Sequence, residues 1–236
     1  MIDSGSIAGL SGIIGTLGVE YDEKRYETLL TTPDPIELHR ILAEMFVFGI
    51  EYVIMEVSAH ALYYQKTAGI RFAATVFTNL TQDHLDFFPT MQDYASAKQR
   101  LFMEYDCPIA VLNGDDETGR AFGRAREERG LAVTYYGLTE PADAFAVITE
   151  ENMHGSSGVL NVKDQLSRFS LSMTGLHNVY NALAAATCAS ELGVRMDDVA
   201  QGLFALERFR PHGAWPHRNL CYRPDARQRF KQRLRR

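Results

Sequence analysis

Cysteine is scarce in this 236-residue chain, and its placement excludes two classes of protein. Cys107, Cys188 and Cys221 are odd in number and widely spaced, which leaves neither a disulfide framework nor a Cys-x-x-Cys metal site. Long apolar runs are absent as well. No segment reaches the roughly 18 apolar residues that a membrane-spanning helix needs. The opening MIDSGSIAGLSGIIG lacks the basic region and long apolar run of a signal peptide. No internal repeat is visible. The expectation is a reduced, cytoplasmic protein with no membrane partner.

What is present supports a substantial core. With 46% hydrophobic and 11% aromatic residues, the chain can form one large or two small domains. Its net charge of −6 is unevenly spread: residues 208–236 hold nine Arg, one Lys and a single acid, Asp225, for +9, leaving −15 on the rest. A basic arm of this kind could bind nucleic acid. The same segment has almost no periodic apolar pattern and contains Pro211, Pro216 and Pro224. It therefore reads as an unstructured or out-of-frame tail following a domain at 1–207, and a nucleic-acid partner is not expected.

Asp34 as N-cap, Pro35 at the first helical position and Glu37 completing a capping box predict a helix over 35–48, stopped by Gly49. Its apolar stripe is Ile36, Leu38, Ile41, Leu42, Met45 and Phe46. Buried-type strands follow at Tyr52–Val57, Ala73–Phe77 and Pro108–Leu112, with a helix over about 91–104 before the last. Continuous apolar runs alternating with helices predict an α/β fold, mainly a parallel sheet with helices on both faces. Short segments at 133–136, 145–149, 159–162 and 168–173 predict a small antiparallel sheet, and helices return at about 178–192 and 196–206.

Open parallel sheets bind ligands at the carboxyl ends of their strands. Glu56 falls at one such end, with Ser58 and His60 just beyond it; Thr78, Asn79, Asp83, His84 and Asp86 follow the next. A carboxylate in an apolar run is costly to bury unless paired or metal-bound. Glu56 and His84 together would suit Mg²⁺ or Mn²⁺. A salt bridge for Glu56, and a helix cap or core position for His84, are equally compatible with the pattern. Lys98 lies on the apolar stripe of its helix with Tyr94, Leu101 and Phe102. Either it snorkels, or it is partly desolvated, with a lowered pKa that makes the amine reactive. Thr31 and Thr32 stand before a helix start that favours anions, and are surplus to the capping Asp34 supplies. His177, Asn178 and Asn181 cluster at another helix start, where capping accounts for them by spacing alone.

With these residues assembled, the sequence resembles the Mur ligase family, in its branch that adds the third residue to UDP-N-acetylmuramoyl-L-alanyl-D-glutamate with diaminopimelate or lysine. The strings that carry the resemblance are TTPD (31–34), MEVSAHAL (55–62), FTNLTQDHLD (77–86), YASAK (94–98), AVLNGDDE (110–117) and HNVYNALAA (177–185). Six in order, between about Gly12 and Leu206, are specific. The resemblance implies the central, ATP-binding domain, with a P-loop-NTPase-like fold. It implies Mg²⁺ on Glu56 and His84, and a second Mg²⁺ on Lys98 carbamylated by CO₂. Thr31, Thr32, Ser58 and Lys66 would contact UDP-N-acetylmuramoyl-dipeptide, and His177, Asn178 and Asn181 would lie near the nucleotide. The implied reaction activates the substrate carboxylate as an acyl phosphate, which the amine of a diamino acid then attacks.

Several positions depart from the family pattern. Its substrate-binding glutamine and arginine fall here on Tyr64 and Lys66, and Ala59 replaces a serine. No GxxGKT phosphate loop occurs among the 236 residues. Residues 1–18 resemble the helix and strand that follow such a loop, and the strings opening the family's C-terminal domain are missing where the basic tail begins. The expectation is a piece of a ligase truncated at both ends and inactive alone, or else a non-catalytic UDP-muramoyl-peptide-binding or regulatory protein.

Overall fold

A computed structural model of the chain describes residues 11–81, 86–139 and 141–205. The expected tail at 208–236 and the candidate ligand His84 lie outside them. Two sheets form the framework. The first has the order β3-β2-β1-β4. Strand β1 (Ser11–Gly15) turns through Thr16 and Leu17 into antiparallel β2 (Gly18–Tyr21), which pairs with β3 (Lys24–Tyr26), while β4 (Tyr52–Met55) lies parallel to β1. Helix α1 (Pro35–Val47) covers this sheet by burying Leu38, Ile41 and Met45 against Ile14, Val19, Tyr21 and Val53. Gly49, at φ +77°, takes the left-handed position that ends the helix, as expected.

Two details of α1 correct the reading from sequence. Ile36 is 88% exposed, because it stands about 200° round the helix from Leu38 and cannot share its stripe. Asp34 occupies the N-cap position but makes no side-chain cap bond; its carboxylate instead meets the Lys66 ammonium at 2.7 Å.

The second sheet has the order β10-β9-β8-β7-β6-β5. Strands β5 (Ala74–Phe77), β6 (Ile109–Asn113), β7 (Thr134–Gly137) and β8 (Ala144–Asn152) are parallel neighbours. Strands β9 (Gly155–Val162) and β10 (Gln165–Leu171) extend them antiparallel. The α/β class is as expected. The antiparallel strands continue the parallel sheet rather than forming one of their own. Period-two alternation in β5 sends Phe77 to one core and Ala74 and Val76 to another. Phe77 joins Leu101, Phe102 and Phe122 of α3 (Met91–Met103) and α4 (Glu117–Glu127); Ala74 and Val76 join Val179 and Leu183 of α5 (Leu176–Glu191) and Leu203 of α6 (Met196–Ala205).

The strands read at 52–57 and 73–77 are not neighbours in one sheet among the described residues. Strands β4 and β5 end different sheets and exchange no ladder hydrogen bonds. Continuous apolar composition tells that a strand is covered on its faces, not which strand lies beside it.

Helix α4 has no counterpart in the reading from sequence, because its charged face and two glycines mask a weak apolar stripe. Those glycines are what let it sit close. A β-carbon on Gly119 would come within 2.1 Å of the Asn113 carbonyl oxygen, and one on Gly123 within 1.9 Å of the Tyr135 hydroxyl. Gly119→Ala is therefore expected to destabilise the chain by about 2–3 kcal/mol, although alanine is the better helix former. Urea unfolding followed by circular dichroism checks this; an unchanged or higher midpoint would refute it.

Candidate active site

The site gathers at the carboxyl end of β4. Glu56 is the first residue past the strand, its N–H still donating to Ile14 O at 2.9 Å. Its carboxylate lies against the β1–β2 turn, where Gly15 leaves room: a β-carbon there would stand 2.8 Å from the Glu56 carboxyl carbon. Oε2 accepts from both the main-chain N–H and the hydroxyl of Thr16, each at 2.7 Å. The hydroxyls of Thr16 and Thr31 are 3.1 Å apart. Oε1 carries no hydrogen bond among the described residues.

Thr32, 2% exposed, ties the next layer together. Its hydroxyl donates to Glu56 O at 2.8 Å and accepts from Ser58 N–H at 3.0 Å. Ser58 then caps α2 (Ala59–Tyr63), its Oγ accepting from Ala61 N–H at 3.2 Å. The helix ends where Gln65 turns to φ +53° and Lys66 N–H returns to Ala61 O. That end aims the Lys66 ammonium at Asp34, beside the two threonines. The structure thus brings together Thr31, Thr32, Glu56, Ser58 and Lys66, five residues spread over three segments of sequence. Thr16, which completes the cradle of Glu56, was missed; a threonine in a two-residue hairpin loop carries no signal of its own.

Lys98 projects from α3 on the apolar stripe, as expected, with its ammonium 5.2 Å from the centre of the Tyr94 ring and 5.9 Å from that of Phe77. Nζ donates to Asn79 O at 3.4 Å, just past the end of β5. It is half-buried, with its stem among rings and its head at a strand end.

The carboxyl ends of β5 and β6 are stapled to each other. Asn113 Nδ2 donates to Thr78 O at 2.7 Å, and Asp116, the N-cap of α4, accepts Leu80 N–H at 3.0 Å. Asp115 reaches the other way, accepting from Tyr180 Oη at 2.8 Å and from Leu138 N–H and Thr139 N–H. Burial and the Asp115 carboxylate both push the Tyr180 phenol well above its ordinary pKa. This contact anchors the first turns of α5, which carry His177, Asn178 and Asn181. The sequence signal for Asp115 and Asp116 was present in the Asn-Gly-Asp-Asp that follows an apolar run.

The start of α5 corrects the expectation of simple capping. The N-cap is Gly175, at φ +96°, with no side-chain cap bond. Asn178 instead donates backwards to Thr174 O at 2.8 Å, and His177 is exposed. The start of α5 also carries the positive end of the helix dipole, which favours anions.

A carboxylate, hydroxyls and an ammonium at strand ends are groups with which an α/β domain can meet a polar ligand. Comparison with known proteins places that class. The family model for the Mur ligase middle domain matches residues 2–189. The UDP-N-acetylmuramoyl-L-alanyl-D-glutamate–2,6-diaminopimelate ligase of Clostridium perfringens is 35% identical over 196 residues, covering 82% of this chain and 40% of its own. The enzyme of the same name from Gloeobacter violaceus is 40% identical over 197 residues, covering 82% and 39%. A solved structure of a UDP-N-acetylmuramoyl-L-alanyl-D-glutamate–2,6-diaminopimelate ligase shares the fold, with a TM-score of 0.76 at 24% identity over 86% of this chain and 41% of that one. The chain belongs to the Mur ligase family, as the six strings implied, and spans about two fifths of the length of the curated relatives it matches.

Proposed function

We propose that residues 1–207 are the middle domain of an ATP-dependent carbon–nitrogen ligase that joins diaminopimelate to UDP-N-acetylmuramoyl-L-alanyl-D-glutamate in the bacterial cytoplasm, for peptidoglycan synthesis. The observation that supports this best is the hydrogen-bonded cluster of Thr16, Thr31, Thr32, Glu56 and Ser58 at the end of β4. The relatives, diaminopimelate ligases by name, supply the acceptor. None of the described helices is long and apolar enough to cross a membrane.

In this reading Thr31, Thr32 and Ser58 position the UDP-muramoyl-dipeptide, and Lys66, held by Asp34, offers it a cation. The start of α5, with His177, Asn178 and Asn181, faces the nucleotide. Glu56 fits a hard cation, since its Oε1 is uncommitted among the described residues and an oxygen donor suits Mg²⁺. Glu56 and His84 would hold one Mg²⁺, and Lys98, once its neutral amine has added CO₂ to become a carbamate, another. Bound Mg²⁺ neutralises charge on transferring phosphates. Thr16 holds the Glu56 carboxylate in place by giving it two donors.

Transplanting residues 11–205 into the Clostridium perfringens relative, in place of its matched segment, tests the reading. The chimera is expected to form the tripeptide, and Glu56→Gln within it to lower kcat about 100-fold with little change in folding. A folded chimera that binds UDP-muramoyl-dipeptide without turnover would overturn it.

One observation favours a second reading, a non-catalytic binding or regulatory protein: no GxxGKT string occurs in the chain. Calorimetry of the 236-residue chain with UDP-muramoyl-dipeptide and no ATP separates the two. Tight binding favours the regulatory role; weak binding, as expected of a segment that spans about two fifths of the ligases it matches, favours the ligase domain.

A further inference from the structure

Helix α5 begins without local support from a capping side chain. Its N-cap is Gly175, at φ +96°, and a glycine fixes the direction of the helix after it only weakly. That glycine also makes room for His177, since a β-carbon there would stand 2.7 Å from the imidazole Cε1. What sets the place of this helix start must come from elsewhere in the fold.

Asp115 supplies it, from the turn between β6 and α4. The turn is itself held, because Asp115 N–H donates to Asn113 Oδ1 at 2.9 Å and Gly114 N–H to Tyr136 O at 2.7 Å. From that base Asp115 Oδ2 accepts from Tyr180 Oη at 2.8 Å and from Thr139 N–H at 3.1 Å, while Oδ1 accepts from Thr139 Oγ1 at 2.8 Å. One carboxylate therefore joins the ends of β6 and β7 to the fifth residue of α5. Helix side chains lean towards the N-terminus, so Tyr180 reaches back over the turn that bears His177. A hydroxyl bonded to a carboxylate makes one of the stronger, charge-assisted hydrogen bonds.

We infer that Asp115 is a positioning residue for the nucleotide end of the domain. Through Tyr180 it sets where His177, Asn178 and Asn181 stand, acting by way of the helix rather than on the ligand. Its loss weakens nucleotide binding and leaves the UDP-muramoyl-dipeptide cluster at the end of β4 as it was. The inference rests on the reading that the start of α5 faces the nucleotide.

Tyr180→Phe removes one hydroxyl and little volume, and it tests the inference in the chimera that carries residues 11–205. By calorimetry, ADP is expected to bind about tenfold more weakly, the loss of one hydrogen bond to a charged group, with UDP-muramoyl-dipeptide affinity unchanged. In the 236-residue chain, deuterium exchange at residues 176–181 should rise about tenfold, with β10 and α6 unaffected. Asp115→Asn should exceed Tyr180→Phe in both measurements, because a carboxamide turns N–H groups towards the donors of Leu138 and Thr139. A bond that serves stability alone would lower the urea midpoint and weaken both ligands alike, and that result would overturn the inference. Unchanged exchange at the start of α5, or ADP affinity that survives Tyr180→Phe, would do the same. An unmutated chimera that folds and binds the dipeptide but not ADP would instead remove the nucleotide reading, and this inference with it.

Discussion

Incubated with ATP, UDP-N-acetylmuramoyl-L-alanyl-D-glutamate and diaminopimelate, the 236-residue chain is expected to form no amide above the uncatalysed rate. Making an acyl phosphate requires the terminal phosphates of ATP to be gripped while charge moves between oxygens. A GxxGKT loop does this with a row of main-chain N–H groups and a lysine, and no such string occurs here. Losing one preorganised donor from a site costs roughly 100- to 1,000-fold, so losing a whole cradle and its cation should cost more than about 10⁴-fold. The groups at the ends of β4 and β5 would then have a substrate carboxylate to hold and no phosphoryl donor placed against it. Mass spectrometry of the tripeptide product, alongside phosphate release, reads the outcome. Turnover that depends on Glu56 would overturn the expectation.

Replacing Arg126 by methionine is expected to cost about 3–4 kcal/mol of stability, although the change conserves volume and removes no ion pair among the described residues. Arg126 is 1% exposed. Its guanidinium donates to three main-chain carbonyls, those of Phe102 at the end of α3, Cys107 at the approach to β6, and Ala132 after α4. Burial pushes its pKa below the ordinary arginine value, yet a guanidinium keeps its proton, so the three oxygens are always supplied with donors. Methionine would leave the buried carbonyls of Phe102 and Cys107 unmet, at about 1–3 kcal/mol each before backbone movement relieves part of the loss, while water can reach that of the exposed Ala132. Arg126→Lys should recover only a fraction, since one ammonium cannot reach three separated carbonyls. The urea midpoint checks this, and a loss under about 1 kcal/mol would sink the argument.

The candidate site was legible where a residue type contradicted its surroundings. Glu56 closes an apolar run, and Lys98 interrupts an apolar stripe; both stand at strand ends in the folded chain. Thr31 and Thr32 stood out as hydroxyls with no capping left to do, and both bond within the cluster. Thr16 was hidden because its meaning is a contact across 40 residues of sequence. Asp34 misled for the opposite reason: local rules made it a cap, but an ammonium on the end of α2 competes for the same carboxylate and wins. Strand order was the least legible feature. Apolar β4 and β5 both read as strands covered on their faces, and periodicity carries no information on what lies along an edge.

Those two edges have a consequence for how the chain holds together. Among the described residues, no main-chain ladder crosses from the sheet of β1–β4 to that of β5–β10. Met55 and Ile70 pack into both neighbouring cores, so side-chain contact binds one half of the molecule to the other. Backbone ladders pass strain along a sheet cooperatively, whereas a seam of apolar contacts loses its parts one by one. Side-chain packing around Met55 and Ile70 is therefore what joins the two sheets among the described residues, and the cluster around Glu56 begins one residue beyond Met55.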